Sequence, residues 1–246
     1  MKNSIKELEE EKMNSMKINK NIDLYFLYAS PLIINSKNGN KEQELFIPIN
    51  YRREIAIIYN LFKKSGKKLN CIFECANKKE LINAIIKQPK ILHISSHGIF
   101  NEKREYSLYL EEKGVLENIN QNELKDILSR FSEQLKNIDL VFISSCYSET
   151  LGKMFSEYGT KNVIYIQEFT PISQKAAINF TEYFYSELIK GSNIKDSFSK
   201  SQKLVKDDIS KNYFQIEKCC CKHWHKPKNF CKLKRNEKYI HTEYHI

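Results

Sequence analysis

The chain has 246 residues, 41% of them apolar, which suffices for one α/β domain with a substantial core plus tails. A net charge of +10 would ordinarily suggest nucleic acid or an anionic membrane as partner, but the basic residues are mostly Lys set beside Glu or Asp in a chain heavy in Lys, Asn and Ile. That is the pattern of a solvated surface, so neither nucleic acid nor membrane is an expected partner. No apolar signal-peptide core is present, and the longest apolar run, residues 22–34, is broken by Asp23, Ser30 and Pro31. The seven cysteines therefore read as free thiols of a cytoplasmic protein in a reducing compartment.

In chain order, residues 1–20 are a charged stretch of helical character with too few apolar positions to pack firmly. Residues 22–29 read as the first buried strand, ended by Ser30 and Pro31, and residues 35–44 as a polar loop. Ile55, Ile58, Tyr59 and Phe62 then recur at helical spacing, with Gly66 as the C-cap of the first crossover helix. Residues 68–75 form a second strand, with Cys71 and Cys75 on one face as packing residues. Asn77 and Glu80 frame a capping box opening a helix to about residue 87. A third apolar run from Lys90 stops at His97-Gly98, and residues 106–110 read as a strand or hairpin turning near Gly114. A capped helix from Asn120 carries Leu124, Ile127, Leu128 and Phe131 on one side, and another apolar run, residues 139–145, stops at Cys146. A short helix over 149–158, a strand over 162–166, an amphipathic helix over 174–190 closed by Gly191, and a last helix from Asn193 complete the pattern. Strand and helix alternate, which predicts an α/β three-layer sandwich with a mostly parallel sheet. The expected division is a leader at 1–20, the α/β domain at 21–208 and a tail at 209–246.

Several chemistries are excluded. No two of the seven glycines lie closer than seven positions, so neither a dinucleotide fingerprint nor a phosphate loop can be formed. There is no H-E-x-x-H and no G-x-S-x-G. What remains is a thiol and an imidazole. In open parallel sheets the ligand crevice lies beyond the carboxyl ends of the strands, where both His97 and Cys146 fall. Cys146 stands between a strand and a helix, near the positive end of the helix dipole, which favours thiolate. His97 suits a general base or imidazolium partner, and then the acid for a leaving amine. The backbone amides of Gly98 and Cys146 are the expected oxyanion donors, and Gly98 permits close approach of the chain. No third residue is evident, and no cofactor is required.

His93-x-x-x-His97-Gly98 after a buried strand, an apolar strand ending in Ser-Ser-Cys146, a helix with Gly152, and a late helix pair running through Phe184, Leu188, Gly191, Ile194 and Phe198 together carry a family resemblance. Over about residues 22–206 the chain resembles the caspase-like CHAT domain, related to caspases, separases, gingipains and legumains, the cysteine peptidases of clan CD. The resemblance implies a caspase-like fold with His97 as base, Cys146 as nucleophile and His93 as a buried structural histidine. It implies a cysteine endopeptidase that hydrolyses a peptide bond in a protein partner. Ser145 departs from the alanine common before the cysteine, and the acidic position common after the last strand falls in Thr170-Pro-Ile-Ser173, which has no Asp. The helical repeats often fused to the domain are absent. The missing acidic residue and the missing repeats favour the alternative, a non-catalytic adaptor or scaffold for protein–protein interaction, while intact His97 and Cys146 favour the peptidase.

From Glu217 to Ile246 there are eight Lys and Arg against three Glu, with four of the seven cysteines and four of the six histidines. Cys219, Cys221, His223, His225 and Cys231 are candidates for a tetrahedral zinc site, although the spacing matches no standard finger. A basic end with incidental Cys and His is the alternative. The basic charge alone would support only a nucleic-acid-associated module.

Overall fold

Runs of Leu, Ile, Val and Phe without polar alternation can satisfy both faces only inside a sheet that is covered on each side. In the computed structural model, which describes residues 22–33, 48–100, 106–167, 173–211 and 241–244, these runs become the centre of the molecule. The chain passes through β1 (Leu24–Tyr28), α1 (Tyr51–Ser65), β2 (Cys71–Cys75), α2 (Lys78–Lys87), β3 (Ile91–Ser95), β4 (Gly98–Phe100), β5 (Tyr106–Glu112) and β6 (Val115–Asn120). It continues through α3 (Gln121–Arg130), α4 (Ser132–Leu135), β7 (Leu140–Ser144), α5 (Glu149–Glu157), β8 (Asn162–Tyr165), α6 (Gln174–Ile189), α7 (Ile194–Lys211) and β9 (His241–Tyr244).

The main sheet has the order β2-β1-β3-β7-β8-β9. Its first five strands are parallel, and β9 closes the β8 edge antiparallel. Strands β4, β5 and β6 form a separate antiparallel sheet inserted between β3 and α3. Side chains alternate between the two faces of the main sheet, so each face has its own core. Tyr25, Leu27, Leu92, Ile94, Val141 and Ile143 face α2, α3 and α5. Leu24, Phe26, Leu140, Phe142 and Ile164 face α1, α6 and α7. The result is the three-layer α/β sandwich with a mostly parallel sheet that strand and helix alternation predicts.

Helix ends follow local chemistry. Gly66 ends α1 in the left-handed region at φ 68°. Asn120 and Glu123 cap α3 reciprocally. The box expected at α2 is half made: Asn77 accepts from the Glu80 amide at 2.8 Å, while the Glu80 carboxylate accepts from the Tyr25 hydroxyl at 3.0 Å. The inward stripe of α1 also differs from expectation. Tyr59 is 58% exposed, and Glu54, one turn before Ile58 on the same face, is buried at 2%. Two core-facing positions four residues apart define the stripe, and Tyr59 lies about 100° away from it.

Candidate active site

Strands β3 and β7 are parallel neighbours, paired from Ile91↔Leu140 to Ser95↔Ser144 at a constant offset of 49 residues. His97 and Cys146 have the same offset and each follows its strand by two residues, so both lie just beyond the carboxyl ends of neighbouring strands. The ladder runs on past the strand ends, with the Ser96 amide donating to the Ser144 carbonyl at 3.2 Å. His97 is half-buried and Cys146 is 9% exposed. The main chain at His97 is held from the hairpin: its carbonyl accepts from the Tyr109 amide at 3.0 Å, and the Ser96 hydroxyl bonds the Tyr109 carbonyl.

Gly98 explains the closeness of the two strand ends. A Cβ at this position would overlap the carbonyl oxygen of Cys146 and the hydroxyl of Tyr106, and would lie 2.6 Å from Ser145 Oγ. Only a glycine lets the chain after His97 lie directly against the chain at Cys146. Tyr106 and Ser145, both 2% exposed, are hydrogen-bonded to each other at 3.1 Å. Burial above all raises the Tyr106 phenol pKa beyond the usual tyrosine range, and negative charge on Cys146 acts in the same direction.

Beyond Cys146 the chain turns sharply. Tyr147 has φ 59°, a left-handed conformation that costs a bulky residue energy and recurs where a site is held under strain. Ser148 is the N-cap of α5 but makes no side-chain cap. Its hydroxyl instead accepts from the Ile166 amide at 3.0 Å, fastening the turn to the end of β8. Cys146 thus precedes the N-cap of a nine-residue helix by two residues. Two further described thiols are disfavoured as anions: burial, then Asp23, pushes Cys71 up to about 11, and burial, then Glu111 and Glu112, pushes Cys75 up to about 11.

His93 is fully buried, its Nδ1 bonded to the Tyr185 hydroxyl at 3.0 Å and its ring packed between Phe26 and Phe142. Its Nε2 lies 3.3 Å from Glu54 Oε1, off the line of a hydrogen bond. Glu54 accepts from Ser95 Oγ and Thr181 Oγ1, each at 2.7 Å. Burial pushes the Glu54 carboxyl up, but the neighbouring His93 together with the bonds from Thr181 and Ser95 outweighs it and holds the group below the ordinary range. This knot joins α1, β3 and α6 beneath the end of the strand that leads to His97. No local sequence pattern marks Tyr106 or its pairing with Ser145, and for Glu54 the one available signal is a glutamate in the inward stripe of an amphipathic helix.

Among the described residues no group of three or more His, Cys, Asp or Glu could hold a metal ion, and no helix is long and apolar enough to cross a membrane. The zinc candidates Cys219, Cys221, His223, His225 and Cys231, the leader at 1–20 and positions 170–172 of the loop without Asp lie outside the described residues. The family model for the CHAT domain matches residues 35–231. The chain belongs to the CHAT domain family. That match takes in His97, Gly98 and Cys146 and begins after β1. No curated protein matches this CHAT chain. Among solved structures it is similar to the pyridoxal kinase of Entamoeba histolytica (10% identity, 77% of this chain and 90% of that one, TM-score 0.37). It is also similar to the pyridoxal kinase of Staphylococcus aureus in complex with pyridoxal (8% identity, 74% and 86%, TM-score 0.30). Scores this low carry no argument about the CHAT domain's chemistry.

Proposed function

We propose that this CHAT domain is a cysteine endopeptidase that uses His97 and Cys146 to hydrolyse a peptide bond in a protein partner, within a reducing cytoplasm. The observation that supports the reading is the parallel pairing of β3 and β7 at a 49-residue offset that His97 and Cys146 share. In the proposed reaction the Cys146 sulfur attacks the scissile carbonyl as thiolate, with the thiol proton passing to His97. The tetrahedral oxyanion takes donors from the amides of Gly98 and Cys146. His97 then protonates the departing amine, and water, deprotonated by His97, releases the acyl group from sulfur. The apolar strand ends and the turn at Tyr147 hold the sulfur in place while this occurs.

The test is covalent labelling of the full chain at pH 7 with a peptidyl electrophile, followed by mapping of the modified thiols. Cys146 is expected to be modified first, Cys71 and Cys75 to lag because their pKa values are near 11, and Cys146→Ala to remove the label. His97→Ala should slow the labelling by about a hundredfold. Labelling spread over the tail cysteines without dependence on His97 would instead favour the adaptor.

A further inference from the structure

Ser145 is where this chain parts from the residue common before the nucleophile, and the structure gives its extra hydroxyl a partner. Tyr106 Oη and Ser145 Oγ are 3.1 Å apart, both side chains are buried, and both atoms converge with the Cys146 carbonyl oxygen on the space that a Cβ at Gly98 would occupy. Two hydroxyls bonded to each other use one of their two protons, so the other remains to be donated outward. In a buried setting that proton must find an acceptor or cost roughly 1–3 kcal/mol, and the Cys146 carbonyl is at the same convergence point. By strand alternation Ser145 lies on the face of Val141 and Ile143, while Cys146 belongs to the face of Leu140 and Phe142. The hydroxyl pair therefore braces the nucleophile's main chain from behind.

We propose that Tyr106 and Ser145 are positioning residues that lock the Cys146 turn against His97-Gly98 and so set the separation between sulfur and imidazole. The proposal rests on the dyad reading above. It accounts for a phenol from an inserted hairpin reaching the seam between the ends of β3 and β7, and for Ser145 being satisfied in an apolar setting. It also makes the β4–β6 sheet part of the active-site scaffold. Neither residue touches substrate, so the effect is transmitted through geometry: a shift of about 1 Å in a reacting atom can cost as much as a hundredfold in rate.

The experiment is a mutant cycle read as the rate of Cys146 labelling by a peptidyl electrophile, in the full chain, for Tyr106→Phe, Ser145→Ala, His97→Ala and each hydroxyl variant combined with His97→Ala. Tyr106→Phe and Ser145→Ala are each expected to slow labelling about tenfold when His97 is present and less than about twofold when it is absent, because the brace acts by aligning the pair. Ser145→Ala removes one oxygen and carries the test if Tyr106→Phe does not fold. An equal loss with and without His97, or unchanged labelling in well-folded variants, overturns the brace while leaving the dyad intact. Labelling in His97→Ala as fast as in the unaltered chain overturns the dyad, and the brace with it.

Discussion

Glu54 is the residue whose burial most needs justification, because an ionised carboxylate removed from water is costly unless it is paired and hydrogen-bonded. It has both: two hydroxyl donors at 2.7 Å and His93 at 3.3 Å. Its folded pKa is below the ordinary 4.5, so the carboxylate form is favoured by the fold. The stability contributed in this way is fully present above the unfolded carboxyl pKa and is lost as pH falls through the lower folded one. Urea unfolding should therefore show the chain losing stability below about pH 4.5, with a shallower dependence in Glu54→Gln. At neutral pH Glu54→Ala should cost about 3–5 kcal/mol, since it strands His93, Ser95 and Thr181 in the core. A flat acid limb in the unaltered chain would remove Glu54 from this role.

At the scale of elements, two glycines report on two different packings. Gly98 lies against the β7 end, and Gly152 in α5 lies against the ring of Tyr165 in β8, whose own Cβ would be 2.9 Å from an added methyl. Gly98→Ala and Gly152→Ala are each expected to cost about 1–3 kcal/mol in urea unfolding, as overpacked sites do. Only Gly98→Ala should also slow Cys146 labelling, because only there does the displaced backbone belong to the proposed dyad. Equal labelling in the two variants would show that the rim tolerates the shift. The helices themselves follow from local signals. The caps at Asn77 and Asn120 and the stop at Gly66 depend on residues within four positions, and all were legible before the fold was known.

On the scale of the molecule, the sheet would end at β8 without β9, leaving a parallel strand with unpaired amides and carbonyls. Exposed edges of this kind invite pairing with another chain. A chain ending at residue 211 is expected to self-associate more strongly than the full chain in sedimentation velocity at the same concentration, and a charged substitution at Val163 would not be a suitable control because that side chain is buried. Replacing Asn162 by Pro, at the start of β8, is the suitable one and should lower the association. Monomeric behaviour of the shortened chain would mean that the edge is protected in another way.

Much of the candidate site could be read from residues in order, because a strand that stops at a small-residue step and then offers one reactive side chain is a local pattern. His97 and Cys146 were singled out that way, as were most helices and the parallel character of the sheet. The order of strands was not legible: β3 and β7 are separated by a whole antiparallel sheet and two helices, and only the global burial of apolar faces makes them neighbours. The same holds for the contacts of Glu54 with His93, at a separation of 39 residues, and of Tyr106 with Ser145, also 39 apart. Periodicity and capping act over a few residues, whereas strand pairing and buried polar networks are selected by packing across the chain, and no local pattern announces them.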